Sequence, residues 1–250
     1  MSELKQNYYG SLCTEMYEIL HETAPEDELE FYLSYAQKGQ KMLEPLCGSG
    51  RFLIPFMARG CDITGMDLSK EMLDKLKEKA PHAKVTLSSI EAYDSPERFD
   101  YIFISSGSVG LFTDMAVCKS ILRKMRVLLT DGGRFVFAVD TVACRCPDDA
   151  DFKPSLAVKT KEGFDLIAKY KNTYDEATHT QYSPSVYELY DGDTLLQSEP
   201  MDFQIHLYEL GEMEKILAEL GFSQVEVYST YDKQPAASNE AEMFLFACVK

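Results

Sequence analysis

Between Lys41 and Val142 the chain alternates short apolar runs with longer amphipathic stretches, and nothing else in the sequence narrows the possible folds as far. Strands separated by helical stretches are the pattern of βαβ units, which build a parallel sheet covered by helices on both faces. Lys41–Leu46 reads as the first strand, running into the short loop Cys47-Gly48-Ser49-Gly50. Arg51–Arg59 carries Phe52, Leu53, Phe56 and Met57 at helical spacing and is closed by Gly60. Cys61–Met66 is a second strand. Asp67-Leu68-Ser69 then offers caps to a helix over Lys70–Ala80, which Pro81 stops. Lys84–Leu87 and Tyr101–Ile104 are further strands, the latter continuous and apolar as a strand buried on both faces must be. A helix over Met115–Leu128 and, after Gly132-Gly133, a strand over Arg134–Asp140 complete this stretch.

Beyond Thr141 the texture changes. Residues 145–160 hold Pro147, Asp148, Asp149, Asp151 and Pro154, a loop-like composition. Phe164–Tyr174, Thr178–Tyr190 and Met201–Tyr208 are rich in Tyr, Ile, Val and Thr, and Asp191-Gly192-Asp193 supplies a hairpin turn. These runs read as antiparallel β structure inserted into the α/β core. Helix returns over Leu210–Leu220, capped by Gly221, and the strands Ser223–Tyr231 and Glu242–Val249 follow. Ahead of the core, residues 11–38 suggest two helices, the second opened by Pro25-Glu26-Asp27-Glu28. The expected organisation is one unit. A helical lid over 1–40 and a substrate-facing β insert over 145–208 would flank a core built from 41–142 and 209–250.

Lys+Arg 25 against Asp+Glu 41 leaves a formal net charge of −16, which repels a phosphate backbone over most of the surface. Nucleic acid and anionic membranes are therefore not expected partners. The seven cysteines are scattered without a framework spacing. Met1–Lys5 lacks a basic-then-apolar leader, and no window approaches eighteen apolar residues, so the expectation is a cytoplasmic protein with free thiols. Cys144-Arg145-Cys146 is C-x-C rather than C-x-x-C, and with four histidines in the chain no metal site is expected.

A strand, a glycine loop, a helix and then an acid at the end of the next strand form a nucleoside-binding constellation. The glycines let the backbone approach the ligand, and Asp67, 17 residues after Gly50, is placed to accept hydrogen bonds from both ribose hydroxyls. A dinucleotide needs G-x-G-x-x-G around its pyrophosphate, but Gly50 is followed by Arg51, Phe52 and Leu53, so the third glycine is missing. Glu44, near the end of the first strand, is instead placed to meet an ammonium group. A ligand with a ribose and a cationic amino acid but no pyrophosphate is S-adenosylmethionine.

Here a resemblance becomes specific. Leu43–Leu53 resembles the first motif of class I S-adenosylmethionine-dependent methyltransferases, and Gly65–Leu73 the segment around their ribose-binding acid. Phe99–Ile104 is similar to the fourth-strand motif, and Leu128–Phe135 to the stretch entering strand five. His206-Leu207-Tyr208 through Phe222 resembles the helix entry of small-molecule members. The motifs arrive in family order. The resemblance implies a Rossmann-like seven-stranded, mostly parallel sheet with an antiparallel last strand, an antiparallel β insert after strand five, and N-terminal helices. It also implies S-adenosylmethionine as cofactor and a small-molecule methyl acceptor. Carried over residue by residue, the cofactor contacts fall on Glu44, Gly48, Ser49, Gly50, Arg51, Asp67, Leu68, Met72, Ser89, Ile90, Glu91 and Ser105. Three positions depart from the pattern. Leu46 stands where the first loop glycine is usual, Ser89 where many members carry an adenine-binding acid, with Glu91 a substitute, and His206 where Arg is common.

The sulfonium methyl is already electrophilic, so the protein's work is to position a nucleophile and exclude water, with a base needed only for a protonated nucleophile. No Asp/Asn-Pro-Pro-Tyr segment follows the fourth strand, which runs into Ser105-Ser106-Gly107-Ser108, so amino-methylation of a nucleobase is not expected. His206 and Tyr208 share one side of a strand by β-period, either as an acid/base pair or as a packed strand face. Tyr9 is the third catalytic candidate, in a group with Tyr8 and Tyr17 that either covers the cofactor or belongs to an amphipathic core face. Asp140 either faces the acceptor or caps the next segment. Two rivals stay open at this point: a nicotinamide-dependent oxidoreductase, and a methyltransferase-like binding module without chemistry.

Overall fold

The computed structural model describes residues 5–250. Two helices, α1 (Ser11–Leu20) and α2 (Glu26–Leu33), precede an alternating series: β1 (Lys41–Pro45), α3 (Leu53–Ala58), β2 (Asp62–Asp67), α4 (Lys70–Lys79), β3 (Lys84–Leu87), β4 (Phe99–Ile104), α5 (Met115–Leu128) and β5 (Leu129–Asp140). Seven short strands follow: β6 (Lys153–Lys159), β7 (Asp165–Tyr170), β8 (Thr173–Asp175), β9 (Thr180–Tyr182), β10 (Ser185–Asp191), β11 (Thr194–Met201) and β12 (Gln204–His206). The chain then forms α6 (Glu212–Glu219), β13 (Ser223–Tyr228) and β14 (Met243–Val249).

Seven strands make the central sheet in the order β13-β14-β5-β4-β1-β2-β3. The pairings β1–β2, β1–β4, β2–β3 and β4–β5 are parallel, whereas β14 runs antiparallel to both β5 and β13. This is the Rossmann-like sheet with an antiparallel last strand that the motif order implies. Side chains alternate across it. Leu43, Ile102, Ile104, Phe135, Phe137 and Phe244 face α5 and α6, while Met42, Tyr101, Phe103, Val136 and Leu245 face α2, α3 and α4. Strands buried on both faces read as continuous apolar runs for this reason. The strand order reverses between β1 and β4, and in open α/β sheets the crevice at such a switch point is where ligands bind.

The cap expected at Ser69 is present, and a second one stands at Asp114. Ser69 accepts the Met72 N–H at the start of α4, and Asp114 accepts from Ala116 and Val117 at the start of α5. Several boundaries differ from the sequence reading: Phe164–Tyr174 and Thr178–Tyr190 each hold two strands, and Thr194–Met201 is a strand of its own. β5 begins at Leu129 rather than Arg134, because Gly132 at φ +78° lets the strand continue through an irregular register opposite Phe99–Tyr101. Within the segment read as loop, Lys153–Lys159 is a strand. It tolerates Pro154 because it lies at a sheet edge, with the register slipping between Pro154 and Leu156. The inserted strands also divide into two sheets, β11-β10-β7-β6 and β12-β9-β8. α1 packs Leu12 and Met16 against Leu166 and Ala168 of the first of these.

Candidate active site

The loop after β1 is built from left-handed backbone: Leu46 at φ +56°, Gly48 at +51° and Gly50 at +86°. Leu46 thus adopts the conformation for which a glycine is usual, at the steric cost that an L side chain brings there. A lock joins the loop to β2. Asp67 accepts the Gly48 N–H at 2.8 Å on one carboxylate oxygen and the Ser69 N–H at 2.8 Å on the other. Burial pushes the Asp67 carboxyl up, while the Ser69, Gly48 and Leu68 amides pull it down. Each oxygen retains lone-pair capacity for a ligand hydroxyl.

Glu44 lies beneath this loop, 1% exposed, and its Oε2 has no hydrogen-bond partner. Burial drives its carboxyl well above the ordinary range, reinforced by the negative charges of Asp67 and Glu28, and Ser105 pulls the other way. A buried carboxylate oxygen without a partner is costly unless a ligand supplies one. The ammonium of S-adenosylmethionine would supply it, so Glu44 and Asp67 fit the two polar ends of that molecule.

A cleft of about 560 Å³ opens above the loop, in the size range of a small-ligand site. One wall is the loop, Asp67 and the Ser88–Glu91 turn; the facing wall is Gln6–Tyr9, Tyr17 and His21. Arg51 is the one cationic side chain among the described lining residues apart from the titratable His21. Its Nε donates to Thr23 O at 3.2 Å and its Nη1 to Tyr17 Oη at 3.5 Å. Burial raises the Tyr17 phenol, which Arg51 opposes, and burial with the Arg51 charge lowers the His21 imidazole.

Of the residues singled out in the sequence, Gly48, Arg51, Asp67, Leu68 and Met72 line the cleft, as do Ser89, Ile90, Glu91 and Tyr9. Four others stand behind the lining. Glu44 and Ser49 are buried with an unpartnered oxygen each, Ser105 lies beside Glu44, and Gly50 packs tightly on Ile54 and Leu76. His206 and Tyr208 are not brought there. Their rings do share one side, 4.5 Å apart, but that side is packed. His206 Nδ1 and Nε2 are held by Thr178 O at 2.9 Å and Glu212 Oε1 at 2.8 Å, and Tyr208 Oη meets Cys118 Sγ at 3.5 Å. Both side chains are buried, and neither is among the residues lining the cleft. Residues the sequence reading missed include Asn7, His21, Ser106 and Thr113. No local motif marks them, since each reaches the cleft through tertiary packing.

Residues 42–133 match the family model of the methyltransferase domain. Over that stretch the chain carries a methyltransferase domain. Among solved structures, the methyltransferase CcbJ of Streptomyces caelestis has the same fold, with a TM-score of 0.77, 18% identity and 98% of each chain covered. The sugar N-methyltransferase KedS8 of Streptoalloteichus sp. gives 0.73 and 19% identity over 100% of this chain and 98% of that one. A more local match joins the chain to (S)-coclaurine N-methyltransferase of Papaver somniferum. The two are 35% identical over 115 residues, 42% of this chain and 31% of that enzyme. No helix among the described residues is long and apolar enough to cross a membrane.

Proposed function

We propose that this methyltransferase acts on a small molecule, transferring the methyl group to an amine nitrogen. The observation that carries the reading is Glu44, a fully buried carboxylate with an unpartnered oxygen, set beside the Asp67 lock. When bound, S-adenosylmethionine supplies an electrophilic methyl group on a sulfonium. Asp67 would hold the ribose hydroxyls, Glu44 the ammonium, Arg51 the carboxylate, and Ile90 with Ser89 and Glu91 the adenine edge. Tyr9 and Tyr17 make an edge-to-face pair at 6.1 Å over the cleft, and they exclude water while their phenols, raised by burial, stay protonated. The lining is acidic, with Asp67, Glu91 and Asp114 facing the cleft and the buried carboxyls of Glu28 and Glu44 behind it. This favours a cationic or neutral amine, as do the N-methyltransferase neighbours. The helical segment 1–40, described from residue 5 onward, and the insert 145–208 would enclose the acceptor over the core of 41–142 and 209–250.

Titration calorimetry with S-adenosylhomocysteine tests the cofactor site. Wild type should bind, and Asp67→Ala should bind about 30- to 150-fold more weakly, as expected for losing about 2–3 kcal/mol of charged hydrogen bonding. Equal affinities would remove Asp67 from the site. Turnover across a panel of amines, phenols and carboxylates tests the acceptor, and methylation confined to phenols or carboxylates would overturn the amine assignment.

A further inference from the structure

Residues Gln6–Tyr9 form one rim of the cleft as a strap outside the named helices and strands, with Gln6 in a single β-bridge to Asp202. Its two ends are tied to opposite walls. On the adenosine side, Tyr8 Oη donates to Glu71 Oε2 at 2.6 Å, and Ser69 Oγ donates to the Tyr9 carbonyl at 2.7 Å, two residues from the ribose acid Asp67. On the other side every polar group of the Asn7 side chain is used. Its Nδ2 donates to Leu111 O at 2.9 Å and to Gln204 O at 2.9 Å, and its Oδ1 accepts from Gln204 N at 2.8 Å. The Asn7 N–H donates to Asp202 O at 2.8 Å. Leu111 belongs to the connection after β4, whereas Asp202 and Gln204 belong to the β insert. Asn7 also sits at φ +53°, a left-handed conformation that Asn tolerates better than most residues.

We infer that Asn7 is a positioning residue for the cofactor: it holds the strap Gln6–Tyr9 across the cleft by bonding it at once to the core and to the β insert. A ligand gripped by Asp67 and Glu44 lies beneath this bridge, so it leaves only when the Asn7 end or the Tyr8–Tyr9 end releases. Because Asn7 draws two of its bonds from Gln204, closing the strap over the cofactor also fixes the edge of the insert. Cofactor capture thereby precedes completion of the acceptor enclosure. The inference rests on the cofactor reading above.

Two substitutions separate the contributions. Asn7→Gly keeps the left-handed backbone available and removes the three side-chain bonds; Asn7→Asp keeps the acceptor oxygen and loses both donations. With S-adenosylhomocysteine as probe, both variants should release it about tenfold faster than wild type by stopped flow, the effect of two typical amide hydrogen bonds lost from the closed state. In hydrogen exchange, amides of residues 5–10 should lose protection while those of β4 and β5 keep theirs, and the melting temperature should stay near that of wild type. Unchanged release in Asn7→Gly would overturn the inference, and so would lost protection spread over the whole sheet, which marks a merely structural role. Failure of wild type to bind S-adenosylhomocysteine would instead overturn the cofactor reading. Strap exchange in the ligand-free proteins then still decides whether Asn7 pins the strap.

Discussion

Asp140 ends β5 with its carboxylate packed against Gly107, and burial pushes its pKa from the ordinary 3.8 up to about 6. A folded-state value above the unfolded one means that the native protein binds this proton more readily. The stability it contributes is full below about pH 4 and is lost as pH rises through 6. Asn at this position cannot ionise. Asp140→Asn should therefore gain on wild type as pH goes from 4.5 to 8, by about 2 kcal/mol. Thermal melts of both proteins at the two pH values measure this, and a gap that does not widen would show that the carboxylate is solvated after all. The placement of Asp67 and Glu44 at the loop was legible in the sequence because it is local: each stands at a fixed offset from a glycine loop at a strand end. His206 and Tyr208 were legible only by halves. Periodicity placed them on one side of a strand, but which side faces Cys118 and Glu212 is decided by helices whose packing no local pattern encodes. Asn7 left no trace, since its partners lie 104 and 197 residues away.

At the scale of elements, α3 packs on β2 at a glycine. A Cβ on Gly65 would lie 2.4 Å from Leu53 Cδ1 and 2.7 Å from Cys47 Sγ, so the helix rests on a strand position with no side chain. The glycine that permits close helix–strand packing, absent from the loop itself, is supplied by the neighbouring strand. Gly65→Ala should cost about 1–3 kcal/mol through overpacking. Urea unfolding checks this, and wild-type stability would mean that Leu53 and Cys47 yield. Helices and parallel strands were readable in order because a strand buried on both faces is continuously apolar, and Ser69 and Asp114 mark the starts of α4 and α5. The insert was read as antiparallel β but not as two sheets, because strand partnership depends on register between distant segments rather than on composition. Lys153–Lys159 escaped notice as a strand since an edge position accepts proline and exposed side chains that an interior strand rejects.

For the whole molecule, ligand binding and stability are linked. A ligand that binds only the folded state at a hundred times its dissociation constant adds about 2.7 kcal/mol. For 250 residues that is a rise in melting temperature of roughly 5–10 °C. S-adenosylhomocysteine should produce such a rise and NADH should not; a rise with NADH alone would return the loop to dinucleotide chemistry. The net charge of −16 adds self-repulsion, so raising the ionic strength should leave this shift in place while lifting the melting temperature of the ligand-free protein. The position of β14 carries a different consequence. It is placed between β5 and β13, so β13 reaches the sheet only through it. During synthesis the first five strands can pair as they emerge, but β13 has no edge to join until β14 has been made. The fold is therefore sealed late, and a nascent chain stalled before Met243 would expose the apolar edge of β5 to chaperones and proteases.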